Sequence, residues 1–480
     1  EPPPRRTRVD ESAATDKAVL VSVLPVRLVG ADQAVPCVDG SERPYLSLDG
    51  AASTSALPGV VDRVNEFLPW YSSVHRGAGY KSQVSTTAYE EARAAALDFA
   101  GRGNRDDVAI ICRNTTEAIN HLAYRLRLEP DATVVMTVAE HHANLLPWTR
   151  LEVRRSFVEC GASGTFSVDD VVDALDARPT PQLLAITGAT NVTGWIPPID
   201  EIVEAAHARG IAVLVDAAQL APHRPLPATA DYLAWSGHKM YAPFGAGVLI
   251  GPRTAFVDGD PFLAGGGAVD LVDLDEVIWT DPPDREEAGS PNVIGAVALG
   301  AAISELRSFG WDVIVAHEHE LAERLRSGLA ATPGVRLLGP ALDVPTLAVA
   351  TFEIEDVPHA LVAARLSAEF GIGVRHGCFC AHPYLMRLLD LPRDVVDRYR
   401  DDVRRGDRRR LPGAVRASAD LSTTTDDIDR LVAALAIVAD GSPAPVAYRQ
   451  HPATGDYWPE GEAAPWTTGD RSLGASCSRG

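Results

Sequence analysis

The sequence predicts an α/β fold: a mostly parallel central sheet in a large domain, followed by a smaller α+β domain. Three observations carry that prediction. Short, continuously apolar runs recur between about residues 41 and 300; stretches of helical patterning separate them; and a β-containing segment follows a long charged helical region after residue 300. A strand that is apolar at every position is buried on both faces, which is the situation of strands in a parallel sheet flanked by helices.

Taken in order, residues 1–40 read as an irregular arm with one short apolar run, Ala18 to Val29. Val108–Ile111, Thr133–Met136, Leu183–Ile186 and Ile211–Val215 read as buried strands, with helices such as Thr115–Leu126 and Ile199–Arg209 between them. Gly245–Ile250 adds another strand, and Gly265–Gly267 and Gly289–Asn292 are loops. Helical patterning resumes at Ile294 and continues, long and charged, through Leu329. The smaller unit has strands near Thr346–Ile354 and Val415–Ala419. The last 40 residues, rich in Pro, Gly, Trp and Tyr, form a tail that either wraps the body or is disordered. The expected layout is a large domain over 41–300, a small domain built from 1–40 and 301–440, and a tail over 441–480. No internal repeat is present.

Composition excludes several functions. A net charge of −21 argues against a nucleic-acid partner, because gripping phosphates needs excess positive charge. The six cysteines are too few and too scattered for a disulfide framework, and Cys378-Phe379-Cys380 lacks the spacing of a zinc site, so no metal is expected. The opening Glu1–Arg6 leads into no secretory apolar run and no run of ~18 apolar residues occurs anywhere, so neither membrane nor export is expected. A reducing cytoplasm is the simplest expectation.

Lysine occurs three times, as Lys17, Lys81 and Lys239, whereas arginine occurs 41 times. A bias that replaces lysine wherever any cation serves leaves Lys239 as a position where an amine is needed, since a guanidinium cannot condense with an aldehyde. Upstream, the apolar run Val213-Leu214-Val215 ends in Asp216. An acid at a strand end followed by an isolated lysine suits pyridoxal phosphate, which needs a partner for its ring nitrogen and an anchor for its aldehyde. Asn114-Thr115-Thr116 opens a helix after a strand, where hydroxyls and free N–H groups grip a phosphate or simply cap the helix. His141 follows the next strand and either stacks on the pyridine ring or is structural. Asn191 closes another strand as a ligand to cofactor or substrate, or as a turn residue. Gln219 is placed to reach the phenolic oxygen, and Ser236 and His238 flank the lysine. Their order along successive strand ends is what makes the set informative.

Glu140–Trp148, Val215–Gln219, Ser236–Gly245, Glu287–Asn292, Val74–Gly77 and Val415–Ser418 resemble class V aminotransferase-fold enzymes, closest to the cysteine desulfurase and selenocysteine lyase branch. The resemblance spans about residues 41–438. It implies a fold-type I pyridoxal-phosphate enzyme, usually a homodimer, acting on a small amino-acid substrate. Lys239 would hold the cofactor as a Schiff base, Asp216 pair with the ring nitrogen, His141 stack on the ring and Gln219 contact the phenolic oxygen. Thr115, Thr116, Ser236 and His238 would hold the phosphate, with Ser290 reaching in from a partner subunit. Arg416, Asn191 and Arg375 would receive the substrate carboxylate, with His75 as a further substrate contact.

Val374–Pro383 matches the stretch where desulfurases carry their sulfur-accepting cysteine, which places Cys380 in that role, with a sulfur-acceptor protein downstream of it. Cys378 stands where the branch usually has histidine, and a long segment, 381–415, separates Cys380 from Arg416. Its basic run Arg404–Arg410 reads as a solvated surface segment or as an acceptor-docking patch. A desulfurase-like cleavage of the carbon–sulfur bond is therefore the main expectation. A C–S lyase, aminotransferase or epimerase acting on another amino acid is the alternative, and a non-catalytic partner-binding scaffold a third.

Overall fold

A computed structural model describes residues 24–75 and 77–460. The first half of the Ala18–Val29 run, Lys17, Arg76, Trp466 and Cys477 lie outside them.

The centre of the molecule is a seven-stranded sheet. Its strands in chain order are β1 (Asp107–Cys112), β2 (Thr133–Thr137), β3 (Arg154–Val158), β4 (Leu183–Thr187), β5 (Ala212–Asp216), β6 (Tyr232–Ser236) and β7 (Gly247–Pro252). In space the order is β1-β7-β6-β5-β4-β2-β3. The pairs from β6 to β3 are parallel, and β7 runs antiparallel to both β6 and β1. Every residue of β2, β4 and β6 is buried, as expected of strands covered on both faces.

Three differences from the sequence reading have physical causes. The link Gly237–Ala246 holds no crossover helix, so β7 has to return antiparallel. β3 was absent from the expected strands because it is an edge strand: its Arg154-Arg155 start is exposed, and charge there protects an open edge. The helical stretch from Ile294 to Leu329 is two helices, Val293–Phe309 and Trp311–Ala331. They are bent by 82° at Gly310, whose φ of 82° removes it from either helix. No single described helix is long and apolar enough to cross a membrane.

A second, antiparallel sheet has the order Val335–Leu338, Val349–Ile354, Ala414–Ser418, Arg375–Gly377. Its core is formed with helices Trp311–Ala331, His359–Phe370 and Thr425–Ala439, through Leu325, Phe352, Leu366, Val415 and Leu435. The segment 381–415 forms helices His382–Leu388 and Arg393–Arg404. Its arginines are largely paired within the segment: Arg404 to Asp401 at 3.1 Å, Arg410 to Asp402 at 2.9 Å and Arg409 to Asp407 at 2.7 Å.

The described part of the tail wraps the body. Tyr448–Gln450 and Tyr457–Pro459 form an antiparallel hairpin. Tyr448 donates to Glu369 at 3.0 Å, Asp456 pairs with His376 at 3.3 Å, and the Pro452 carbonyl accepts from the Arg408 N–H at 2.9 Å.

Candidate active site

Because β1, β2, β4, β5 and β6 point the same way, their carboxyl ends share one edge of the sheet, where open α/β sheets bind ligands. A cleft of about 260 Å³ lies there, and Lys239 and Cys380 both line it. The turn after β1 opens helix Thr115–Arg125, with Asn114 as its N-cap accepting from the Glu117 N–H at 3.0 Å. The backbone approach is close. A Cβ on Gly247 would sit 2.6 Å from the Asn114 Cα, so only glycine lets β7 pass beneath this turn. The Thr115 N–H donates to Ser236 Oγ at 2.8 Å, and the two hydroxyls are 2.6 Å apart. Thr116 and His238 also line the cleft. Hydroxyls at a helix N-terminus form a ready anion site.

After β2, Glu140 is fully buried and accepts from Thr137 Oγ1 at 2.7 Å, Asn144 Nδ2 at 2.8 Å and the Thr187 N–H at 3.0 Å. It thus ties the ends of β2 and β4 together and sets the position of the next residue, His141. Burial pushes the Glu140 carboxyl up to about 8. His141 Nδ1 accepts from the Ala143 N–H at 3.0 Å, which leaves the ring proton on Nε2. Burial, and then the nearby Lys239 charge, push the imidazole down to about 3, so a neutral ring faces the cleft.

Lys239 ends the short turn Gly237–Lys239 after β6. The Thr54 N–H donates to the carbonyl of His238 at 2.9 Å, and Thr54 Oγ1 accepts from the Tyr241 N–H at 2.8 Å, which fixes that turn. Burial pushes the Lys239 ammonium down to about 8, aided by Arg416 and Arg375 and opposed by Asp216 and Cys380. Asp216, at the end of β5, accepts from the Ala218 N–H at 3.0 Å, and burial raises its carboxyl in spite of Lys239. Burial therefore outweighs mutual attraction for both groups. Gln219 lines the cleft but donates to the Ala51 carbonyl at 2.6 Å.

On the facing side, Arg416 Nη1 donates to the Asn191 carbonyl at 2.7 Å, and its guanidinium lies over the Phe379 ring at 5.1 Å. Asn191 Nδ2 donates to the Phe379 carbonyl at 2.6 Å. Arg416 Nε and Asn191 Oδ1 are buried without protein partners, which is how a polar pocket awaiting a polar ligand is built. Asp49 is a site residue that sequence reasoning missed. It bridges Arg375 at 2.9 Å and Arg416 at 3.3 Å and so holds both guanidiniums at the cleft. Its signal was the alternating Leu46-Ser47-Leu48 ending in Asp49-Gly50.

His75 is not brought to this cleft, and Ser290, expected to serve a partner subunit's site, lies off its own chain's cleft. His75 lies 3.3 Å from Glu90 and edge-on to Tyr89. Ser290 is exposed in the loop after Gly289, whose N–H donates to Gly266. Cys380 is exposed at the cleft mouth with φ 54°, after Phe379 with φ 55°. The backbone N–H of His142 donates to its carbonyl at 2.8 Å.

A family model described as Aminotransferase class-V matches residues 46–431. The chain is 35% identical over 423 residues to the cysteine desulfurase of Dickeya dadantii, covering 86% of this chain and 96% of the relative. It is 34% identical over 409 residues to a probable cysteine desulfurase of Halalkalibacterium halodurans, covering 83% and 93%. Among solved structures, the apo cysteine desulfurase of Thermococcus onnurineus NA1 superposes with a TM-score of 0.73 at 30% identity, covering 83% of this chain and 95% of that one. The Escherichia coli cysteine desulfurase CsdA gives a TM-score of 0.68 at 31% identity, covering 82% and 94%.

Proposed function

This chain belongs to the class V aminotransferase family, and on that premise we propose that it is a pyridoxal-phosphate-dependent cysteine desulfurase. The observation that carries the reading is the position of Cys380 on the same cleft as Lys239, Arg375 and Arg416. A thiol at that place stands within reach of a substrate held by the lysine and the two arginines, which is where a sulfur acceptor has to be.

The donor set fits the cofactor. Thr115, Thr116, Ser236 and His238 would hold its phosphate, Asp216 its ring nitrogen, His141 the ring face, Gln219 the phenolic oxygen, and Lys239 the aldehyde carbon. Gln219 would have to share its amide with the Ala51 carbonyl. When bound, the cofactor supplies an electron sink for the Cα–H bond and the bond to sulfur. The remaining steps belong to the chain. Arg416 and Asn191, through its unpartnered Oδ1 and neighbouring donors, orient the substrate's polar groups, with Arg375 alongside. Lys239 Nζ takes the α-proton; burial lowers its ammonium to about 8, so a larger share of it is free base near neutral pH than for an exposed lysine. Cys380 Sγ then attacks the substrate sulfur: the sulfur–sulfur bond forms as the Cβ–sulfur bond breaks, Cys380 keeps the sulfur as a persulfide, and the carbon side takes up protons and leaves as alanine.

The working unit is a homodimer. Ser290 and His75 lie off the cleft of their own chain, so any role for them is in a neighbouring copy's site. The exposed hairpin Val269–Val272/Val277–Trp279 offers Leu271, Val272, Leu274 and Ile278 as an apolar face for that copy. All five described cysteines are unpaired, which accords with a cytoplasmic enzyme passing sulfur to an acceptor protein.

Incubating the holoenzyme with cysteine and following products by mass tests the proposal. Alanine in step with sulfur bound at Cys380 is expected; a keto acid, or pyruvate with ammonia, instead of alanine would favour an aminotransferase or a lyase.

A further inference from the structure

Nothing in the reaction proposed above uses Cys378, yet it stands in the same tight turn as Cys380. The Ala381 N–H donates to the Cys378 carbonyl at 2.9 Å, closing a four-residue turn whose two central residues, Phe379 and Cys380, both have left-handed backbones. Such a backbone is strained for a non-glycine residue, so something has to hold it. Three contacts do: Asn191 on the Phe379 carbonyl, the Arg416 guanidinium over the Phe379 ring, and the His142 N–H on the Cys380 carbonyl. Cys378, the first residue of the turn, is half-buried and packs against the main core, while Cys380 is at the cleft mouth.

Residues two apart across a turn have Cα atoms within the ~4.4–6.8 Å that a disulfide spans. The backbone N–H groups of Cys380 and Ala381 also bear on the Cys378 sulfur and stabilise its anion, and a charge on Cys380 opposes one on Cys378. The two sulfurs are therefore electrostatic neighbours as well as neighbours in sequence. Burial nevertheless raises the Cys378 thiol, so the resting group is protonated and has to pass its proton on before its sulfur can attack.

We propose that Cys378 is a resolving thiol: its sulfur attacks Sγ of the Cys380 persulfide, forms a Cys378–Cys380 disulfide and expels the outer sulfur as hydrosulfide. This rests on Cys380 accepting sulfur from cysteine. The step balances as Cys380–S–S⁻ plus Cys378–SH giving Cys378–S–S–Cys380 plus HS⁻; one sulfur–sulfur bond breaks, one forms, and the Cys378 proton leaves on the hydrosulfide. No added oxidant is needed, because the persulfide sulfur is already at the disulfide level. Two equivalents of a small thiol then return both cysteines to the reduced state. The enzyme would release sulfide when no acceptor collects the persulfide, and would stop after one turnover when no thiol is present.

The test gives the holoenzyme one equivalent of cysteine without added thiol, quenches in acid, blocks free thiols and measures sulfide, alanine and the mass of the Cys378–Cys380 peptide. The wild type is expected to yield a peptide short of two hydrogens and closed to the blocking reagent, with sulfide equal to alanine. Cys378→Ser is expected to leave one extra sulfur on Cys380 and to release no sulfide; its alanine yield and cofactor absorbance report that it is folded. A wild-type peptide that keeps the extra sulfur with Cys378 blocked overturns the proposal while leaving the desulfurase reading intact. So does a disulfide that forms equally without cysteine. Absence of alanine from both proteins overturns the desulfurase reading, and the resolving role falls with it.

Discussion

The strand-end cradle and the cysteine turn face each other across one cleft but are built on opposite plans. The cradle takes Thr115, His141, Asp216 and Lys239 from the ends of four strands of one buried sheet, each fixed by backbone contacts. The cysteine turn hangs between the edge strand Arg375–Gly377 of the second sheet and helix His382–Leu388. It keeps a left-handed backbone only because cleft residues grip it. In the proposed function the cradle would hold the cofactor and the turn would receive the sulfur.

Predictions follow from separating the two. The largest effect is expected in the cradle: Lys239→Ala removes both anchor and base and should cut cysteine turnover by at least about 10²–10⁴-fold, checked by steady-state alanine formation. Next, Arg416→Lys replaces a planar fork that spans the Asn191 carbonyl and Asp49 with a point charge. Losing one charge-assisted bond, about 1.5–3 kcal/mol, should raise KM roughly 10- to 100-fold with a smaller change in kcat. A third expectation concerns pH. Folding lowers Lys239 from 10.5 to about 8 in the cofactor-free protein. Between those values the unfolded chain carries a proton the folded one has shed, so stability should rise with pH across about 8 to 10.5, and the cost is full below about 8. Urea midpoints of apoprotein against pH should show that rise, and Lys239→Met should flatten it. The smallest effect lies behind the turn. Asp456→Asn breaks the half-exposed pair with His376 and should cost less than about 1 kcal/mol in thermal unfolding.

The cradle was legible in the sequence because its signals are local. A buried parallel strand is apolar throughout, so Asp216 stood out at its end; Lys239 stood out by the scarcity of lysine, and Asn191 drew its meaning from the order of the set. The class V resemblance was legible for the same reason, since its motifs are strand ends. What stayed hidden depends on contacts distant in sequence. Asp49 meets Arg375 and Arg416 across more than 300 residues, and no periodicity announces that. β3 was hidden by its charged, exposed edge, and the antiparallel return of β7 by a link whose lack of a helix is evident only once β6 is recognised. The basic run Arg404–Arg410 looked free in sequence, but Asp401, Asp402 and Asp407 neutralise much of it. The tail's aromatics likewise left open whether they wrap or dangle, until the Tyr448–Glu369 contact showed the hairpin docked.

One cleft would thus hold two separable functions, a lysine that anchors the cofactor and a cysteine that takes the sulfur. The most direct measurement is the cofactor's visible absorbance and the alanine yield recorded together for Lys239→Ala and Cys380→Ala. Lys239→Ala is expected to lose both, whereas Cys380→Ala is expected to keep the absorbance of the wild type and to lose alanine formation from cysteine. Full alanine turnover by Cys380→Ala with a thiol present, or an unchanged absorbance in Lys239→Ala, would contradict that division.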